Sequence, residues 1–271
     1  MPLQSPGCLS EAACNVLNAA DPARKVDLSE IYAKDYAAGN LSEIGTCRPP
    51  DRPARPLRPE LGRPGDMKRR RFGTPEGRIA FIHAIAHIEL NAIDLAWDMV
   101  ARFTAVELPD AFYADWVGVA ADEARHFTLL ADYLQRGGAA YGDLPAHDGL
   151  WEAAAQTSDD ILARLALVPL VLEARGLDTT PAAIAKLTGA GDRDAAAILK
   201  TIAAEEIPHV AAGVRWFEYM CAARDLEPKS TYQRLVRARF KGALKPPFAT
   251  AARSAAGFDP AWYEPLAKPA D

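Results

Sequence analysis

The sequence predicts an all-α protein with a four-helix bundle at its centre, preceded by short helices and a Pro/Arg-rich wrapping segment and followed by a C-terminal extension. Long Ala-rich stretches place apolar residues at helical spacing, and no stretch shows a convincing strand-type alternation. Prolines, glycines and capping residues divide these stretches into lengths typical of bundle helices. We therefore predict three parts: residues 1–73, the bundle over 74–224, and the extension over 225–271.

Caps and breakers predict the helix boundaries. Thr74-Pro75-Glu76 opens the first bundle helix with a capping hydroxyl, a proline at the first helical position and an early acid. Ser158 or Asp159 is expected to cap the third bundle helix. The four bundle helices are predicted over residues 74–106, 109–137, 158–176 and 192–224. Shorter helices are predicted over residues 9–19, 27–37, 150–155 and 232–240, with Ser10 or Asp27 as caps, and another begins at Thr180-Pro181.

Residues 48–77 are so rich in proline and arginine that a helix is excluded and extended, polyproline-like chain is favoured. We call this segment the strap. Extended chain loses little entropy when it is laid on a surface, and arginine stems can be buried there. We expect the strap to wrap the bundle and to leave only part of its charge exposed. Its arginines are expected to pair with acids such as Asp94 or Asp98.

Two E-x-x-H motifs, Glu123 to His126 and Glu206 to His209, carry the chemistry of the chain. Residues three apart share one face of a helix, so each motif directs a carboxylate and an imidazole into the same space. Each motif also follows, at nearly the same distance, a Glu in strongly helical sequence. Four carboxylates and two imidazoles are the ligands of a di-iron or di-manganese carboxylate centre. The predicted metal ligands are Glu89, Glu123, His126, Glu173, Glu206 and His209.

The alternative is that all six residues are solvated on helix surfaces. Apolar neighbours such as Phe127 and Val210 count against it, because a buried charge is costly unless something pairs with it. Phe112 and Trp116 lie about three and two turns before Glu123, where they could wall a channel or simply pack in the core. Prolines lie close to two of the ligands, Pro169 before Glu173 and Pro208 inside the second motif. Each is expected to kink or bulge its helix.

The remaining histidines of the first bundle helix need a separate interpretation. His83, His87 and Asp94 lie near each other on that helix but far around it from Glu89. They cannot join the same metal centre without breaking the helix. A second site and hydrogen-bonded packing under the strap are the two alternatives.

Composition bounds the class of protein. The net charge of -5 over 271 residues argues against nucleic-acid binding by the protein as a whole. The four cysteines form no C-x-x-C pair and no zinc-like spacing, which suits a reducing compartment. No signal-like start and no apolar run long enough to span a membrane are visible. We expect a cytoplasmic protein that does not associate with membranes.

The run Asp122-Glu123-Ala124-Arg125-His126 resembles the D-E-x-R-H motif of the ferritin-like di-iron superfamily. That superfamily includes bacterial multicomponent monooxygenases, ribonucleotide reductase small subunits and rubrerythrins. The similarity covers about residues 74–224. Residues 87–95 and 172–178 look most like an uncharacterised bacterial branch of ferritin-like proteins, and a more distant similarity is to the di-iron tRNA hydroxylase.

The resemblance implies a ferritin-like bundle that holds two iron ions, or manganese or a mixed pair, on the six ligands. It also implies that Asp122 supports the imidazole of His209 and that Glu205 supports that of His126. The second motif departs from the family pattern, with Glu205 in place of Asp and Pro208 in place of Arg. The ligands survive this departure, whereas the Arg-mediated cross-link of the family does not.

Three functions are compatible with these features. The first is an O2- or peroxide-activating oxidoreductase that acts on a small or nucleoside substrate and receives electrons from a donor or reductase. The second is an iron-binding, peroxide-detoxifying protein without an organic substrate. The third is RNA binding by the strap and by a basic C-terminal set, for which a solvated surface is the alternative. That set consists of Arg234, Arg237, Arg239, Lys241 and Lys245.

Overall fold

The computed structural model describes residues 5–63, 65 and 72–268. The described chain is predominantly helical, which confirms the all-α class. It divides into two compact units, Met1–Trp151 and Glu152–Asp271. The predicted three-part division of the chain and the ferritin-like bundle stay predictions.

The first unit is built on two long helices, with two shorter helices packed against them. α1 (Leu9–Leu17) packs on α3 (Pro75–Arg102), and α2 (Pro22–Ala37) packs on α4 (Asp110–Arg136), while α3 and α4 pack along each other. α5 (Gly149–Ala155) contains the boundary between the units. The two long helices thus bring the first Glu and the first E-x-x-H motif into one unit.

Capping side chains mark the starts of several helices, although two of the predicted caps are wrong. The Thr74 hydroxyl accepts a hydrogen bond from the Gly77 amide at 3.1 Å, as the sequence predicts. The cap of α2 is Asp21, which accepts from the Arg24 amide at 2.9 Å. Asp27, the predicted cap, lies inside α2 because Asp21-Pro22 is the stronger start signal. Ser10 lies inside α1, whose N-cap position is Cys8.

Two short strands occur where none was predicted. β1 (Leu61–Gly62), in the strap, pairs in parallel with β2 (Ala146–His147). Two residues are too few to produce a visible alternation, and the pairing joins parts of the chain that are distant in sequence. This pairing attaches the strap to the chain that follows α4.

The described part of the strap lies on the first unit, although its partners differ from those predicted. Arg52 and Arg55 form ion pairs with Asp148, and Arg55 Nη2 donates to Asn91 Oδ1 at 2.6 Å. Asp94 pairs with Lys25 of α2, and Asp98 pairs with Arg102 one turn away on α3. Those partners were missed because Lys25 is distant in sequence and the Asp98 pair is local to its own helix. The basic residues 68–71 lie outside the described residues.

The prediction that no apolar run could span a membrane needs a correction, because α3 is, within the described chain, the one helix long and apolar enough to do so by length and composition. Of the apolar 18-residue stretch within this helix, 67% is buried inside the protein. A core helix of a soluble protein has the same character, so the helix is consistent with a soluble protein.

His83 and His87 take part in hydrogen-bonded packing. His87 Nε2 donates to the His147 carbonyl at 3.1 Å, so Nδ1 of the neutral ring accepts from the Tyr141 hydroxyl at 2.8 Å. His83 Nε2 accepts from the Gly142 amide at 2.9 Å. The Tyr141 ring stacks on both imidazoles. Burial of His87 lowers its pKa to about 4, although the bond to His147 acts in the opposite direction.

The second unit contains a helix that changes its winding. α6 (Ile161–Leu167) runs into a π-helix, Val168–Glu173, which we call the π-segment, and this continues into α7 (Ala174–Gly189). The predicted break at Gly176 is therefore wrong, and Pro181 lies inside α7 and begins no new helix. Asp160, one or two residues after the predicted caps, accepts from the Leu162 amide at 3.1 Å. Pro169, predicted to kink or bulge its helix, lies in the π-segment.

The other elements of the second unit are α8 (Arg193–Ala222), α9 (Pro228–Arg239), α10 (Thr250–Ala255), α11 (Pro260–Tyr263) and a 3₁₀ turn, Glu264–Leu266. α8 packs on α6, α7 and the π-segment. The Tyr232 hydroxyl of α9 donates to the Leu170 carbonyl at 3.3 Å. Arg239, one of the cations considered for RNA, is ion-paired with Asp159 at 2.9 Å.

Gly213 lets α8 approach the π-segment closely. A Cβ atom at this position would lie 2.5 Å from Pro169 Cβ, well inside the sum of the atomic radii. Since Pro169 is a rigid ring in a buried helix, neither side chain can move away cheaply. The sequence of α8 therefore needs a residue without a side chain here.

We expect Gly213→Ala to destabilise the protein by about 1–3 kcal/mol, as overpacking of a core does. Gly176→Ala on α7 is the matched control, because its new Cβ would meet nothing within 4 Å. That control should be neutral or stabilise by up to about 1 kcal/mol, since alanine favours a helix over glycine. Urea unfolding midpoints measure both effects, and equal shifts for the two variants would contradict the close approach.

We also expect the protein to lose stability in acid through His87. A histidine held neutral by burial stabilises the fold above its unfolded pKa of about 6.5 and loses that contribution as pH falls towards 4. His87→Leu should therefore flatten the dependence of unfolding free energy on pH in this window. The difference in slope is at most about 1.4 kcal/mol per pH unit. Denaturant unfolding of both proteins between pH 4.5 and 7.5 measures the two slopes. Parallel curves would show that the loss of stability in acid does not come from His87.

Candidate metal centre

Three of the predicted ligands come together in the first unit. Glu89 lies on α3, and Glu123 and His126 lie one turn apart on α4. These residues are 4%, 0% and 0% exposed, so the solvated alternative is excluded for them. His126 Nδ1 lies 3.3 Å from Glu123 Oε2 and 3.5 Å from Glu89 Oε2. One ligand atom from each of the three lies within 4.8 Å of the others.

These distances fit a metal ion. Two ligand atoms that each lie about 2.1 Å from one metal, at angles of about 90–110°, are about 3.0–3.4 Å from each other. The observed separations lie at or just above that range. Carboxylate oxygen and imidazole nitrogen also suit iron and manganese. The three residues thus have the atom types, spacing and burial of one side of a metal site.

The electrostatics of this cluster favour a positive charge. Burial alone would lower the pKa of His126, but hydrogen bonds to Glu123 and Glu89, together with their charges, raise it to about 11. At neutral pH the imidazole of the metal-free protein is therefore protonated, and this proton balances part of the charge of two buried carboxylates. A metal ion requires the neutral imidazole and would replace that proton.

The second unit repeats the geometry. Glu206 and His209 lie one turn apart on α8 and are 8% and 2% exposed. His209 Nδ1 lies 3.5 Å from Glu206 Oε2, close to the separation in the first motif. Pro208 lies between them on the exposed side of an unbroken α-helix. Glu173, half-buried, is the last residue of the π-segment, which packs on α8.

The residues predicted to support the ligands are partly buried. Asp122 Oδ1 accepts from Arg125 Nη2 at 2.6 Å on the outer side of α4. Glu205 is half-buried beside Glu206. Their proposed bonds to His209 and His126 stay predictions.

Phe112 and Trp116 are 0% and 1% exposed, and their rings pack edge to face with centroids 6.1 Å apart. This arrangement is typical of core aromatic pairs. Their role as a channel wall stays a prediction.

Sequence reasoning missed two buried ion pairs, Lys25 with Asp94 and Arg253 with Asp178. All four side chains are at most 3% exposed. The only signal was an aspartate in an apolar helical stretch. The partners could not be identified, because each lies far away in the sequence.

Comparisons with known proteins give a family but no activity. A family model described as "Protein of unknown function (DUF455)" matches residues 18–264, a range that contains all six predicted ligands. A protein of Haemophilus influenzae, described as "Uncharacterized protein", is 43% identical over 212 residues, which cover 75% of this chain and 72% of the relative. No solved structure matches the chain.

We expect metal binding to release protons, because the ion displaces the proton held on His126. The affinity for Mn²⁺ should rise with pH, by up to about tenfold per pH unit, as long as that proton must leave. Calorimetric titration at pH 7 in buffers of different ionisation enthalpy counts the protons released. His126→Gln should release about one proton fewer than the unsubstituted protein. Equal numbers for the two proteins would show that the imidazole is already neutral without metal.

Proposed function

This chain belongs to the DUF455 family, and we propose from its two Glu/His clusters that it is a ferritin-like di-metal carboxylate protein. We propose iron as its metal, with manganese or a mixed pair as the variants that the same ligands accept. We propose that it activates O2 or peroxide to oxidise a small or nucleoside substrate. The observation that carries this proposal is the pair of buried E-x-x-H motifs with matching Nδ1 to Oε2 separations.

Charge balance supports one centre made of both clusters. Glu89 and Glu123 place two carboxylates in the first cluster, and we propose that Glu173 and Glu206 contribute two more. Four carboxylates balance two divalent ions, and the two imidazoles remain neutral. Either cluster alone offers three ligands, whereas a di-metal carboxylate centre in a helix bundle uses four carboxylates and two imidazoles, so we propose that the clusters complete each other. Two divalent ions would also offset the desolvation cost of the buried carboxylates.

The proposed ligands would bind the ions and set their reactivity. His126 and His209 would each bind one ion through Nδ1, the nitrogen that faces the carboxylate in both clusters. Glu173 ends a π-segment, and π-helical turns frequently occur at functional sites, where they redirect a side chain. A pair of redox-active ions, when bound, supplies electrons to O2 or peroxide. An external electron donor or reductase would then be needed to restore them.

The compartment of this chemistry is proposed to be the cytoplasm. Cys8, Cys14, Cys47 and Cys221 are free thiols. Thiols that stay reduced are typical of that compartment.

The packing of Phe112 and Trp116 favours a second candidate, iron binding with peroxide removal and no organic substrate. Both rings are buried and in mutual contact, so this part of α4 offers no open path for a large substrate. Peroxide and O2 are small enough to reach a buried site through fluctuations of the fold. The two candidates differ in whether oxidation of the bound iron is coupled to an organic product.

We predict about two transition-metal ions per chain after anaerobic reconstitution with Fe²⁺ or Mn²⁺. Glu123→Ala in the first unit and His209→Ala in the second should each lower the metal content well below one ion per chain, because the ions share ligands. Glu218→Ala, at an exposed position on α8, is the matched control and should keep both ions. Elemental analysis after desalting measures the content.

Two results would contradict the proposal. A reconstituted protein without transition metal would remove its basis, and variants that each keep one tightly bound ion would show two separate sites. Exposure of the Fe²⁺ protein to O2 or H2O2, followed by absorption spectroscopy, then tests the chemistry. Steady consumption of H2O2 with Fe²⁺ as the only reductant would favour the second candidate over an oxidoreductase with an organic substrate.

A further inference from the structure

The second unit contains a cavity that the proposed metal chemistry does not use. Its volume is about 110 Å³, and it lies between the π-segment, α7 and residues 240–253. Three cations, Arg175, Lys245 and Arg253, line it together with one anion, Asp178. The rest of its wall is apolar, with Leu244 and two phenylalanines.

Arg253 is a buried cation with an unused donor group. Its side chain is 2% exposed, and its Nε and Nη2 atoms donate to the two carboxylate oxygens of Asp178 at 2.9 and 2.7 Å. Its Nη1 atom is buried and has no hydrogen-bond partner within the part of the chain that the structure describes. Buried guanidinium N–H groups normally find an acceptor, because leaving one unbonded costs about 1–3 kcal/mol.

Aromatic rings compensate only part of that cost. The guanidinium carbon lies 4.4 Å from the ring centre of Tyr263, and the rings of Phe248 and Phe258 are 5.1 and 5.4 Å away. These rings stabilise the positive charge, but an N–H directed at a ring is a weaker partner than an anionic oxygen. An anion in the cavity would accept a hydrogen bond from the unused N–H group and would also balance the positive charge of the guanidinium.

The cavity has an excess of positive charge. Asp178 is already bound by Arg253 and by the Ala249 amide, which donates to its Oδ1 at 2.9 Å, and Arg175 Nη1 lies 3.4 Å from its Oδ2. Arg175 and Lys245 at the same cavity add two further cations with exposed or half-exposed side chains. One carboxylate against three cations leaves the lining with a net charge of about +2 at neutral pH.

We propose that this cavity binds a small oxyanion, either a short carboxylate or phosphate, through Arg253, Arg175 and Lys245. Its size limits the ligand, because a cavity of about 150 Å³ accommodates benzene. A smaller cavity therefore suits about five non-hydrogen atoms, the size of phosphate or propionate. The apolar wall suits the short chain of a carboxylate, and the cations suit either anion. This inference is independent of the proposed metal centre.

The test is calorimetric titration of the full chain with sodium phosphate and, separately, with sodium propionate. Sodium chloride at the same ionic strength is the control for screening. We expect saturable binding of at least one of the two anions with a stoichiometry of one, and the anion that binds more tightly identifies the source. Chloride should give no saturable heat.

Variants distinguish a specific binding site from nonspecific electrostatic attraction of anions. Arg253→Gln is avoided because it would leave Asp178 buried without its partner and could unfold the unit. Lys245→Gln should instead weaken binding at least tenfold. Ala243→Leu, which fills the cavity without changing its charge, should also do so. Lys241→Gln is the matched control, since Lys241 is an exposed cation in the same segment that does not line the cavity. Its affinity should stay within about twofold.

Three results would overturn the proposal. The first is the absence of saturable binding for both anions, and the second is an unchanged affinity in Ala243→Leu. The third is an equal loss of affinity in Lys241→Gln and Lys245→Gln. A circular dichroism spectrum of each variant, recorded before titration, confirms that the lost affinity is not lost structure.

Discussion

The structure depends most on how it compensates charges buried inside helical packing. Glu89, Glu123 and His126 are almost completely excluded from solvent, and Glu206 and His209 are nearly so. Charges in such surroundings destabilise a fold unless they are balanced locally. In the first unit the proton on His126 provides part of that balance, and the proposed ions would provide the rest. The same need explains why Lys25 is drawn into contact with Asp94 and Arg253 with Asp178.

The buried ion pairs contribute more to the specificity of helix packing than to the stability of the fold. A buried ion pair contributes little net free energy relative to a well-packed apolar pair, whereas removal of one partner is strongly destabilising. Each such pair therefore fixes one packing of its helices and penalises the others. Lys25 fixes α2 against α3 in this way, and Arg253 fixes α10 against α7. We interpret these pairs as constraints on the register of the helices that support the candidate site.

Local signals were predictable from the sequence, and contacts between distant parts of the chain were not. Thr74-Pro75 specifies the start of α3, and the i, i+3 spacing in each motif specifies which side chains share a face. The pairing of Leu61 with Ala146 depends on the folded position of the strap, so no local pattern encodes it. Because proline is favoured at helix starts, the sequence predicts a new helix at Pro181, yet α7 continues through this residue. Within each unit, residue type and spacing alone predict that the Glu and the His of each motif lie close together.

The π-segment has a consequence for how the chain can change over evolution. A π-helical turn, with its i→i+5 hydrogen bonds, contains one residue more than the α-helical turn it replaces, and one residue corresponds to about 100° of helical rotation. The direction of Glu173 at the end of that turn is therefore set by the number of residues before it as well as by their identity. Loss of a single residue between Val168 and Glu173 would restore regular winding and turn the carboxylate towards another face. In an alignment, a gap at this place would mark a relative whose second cluster is differently built, even if every ligand were still present.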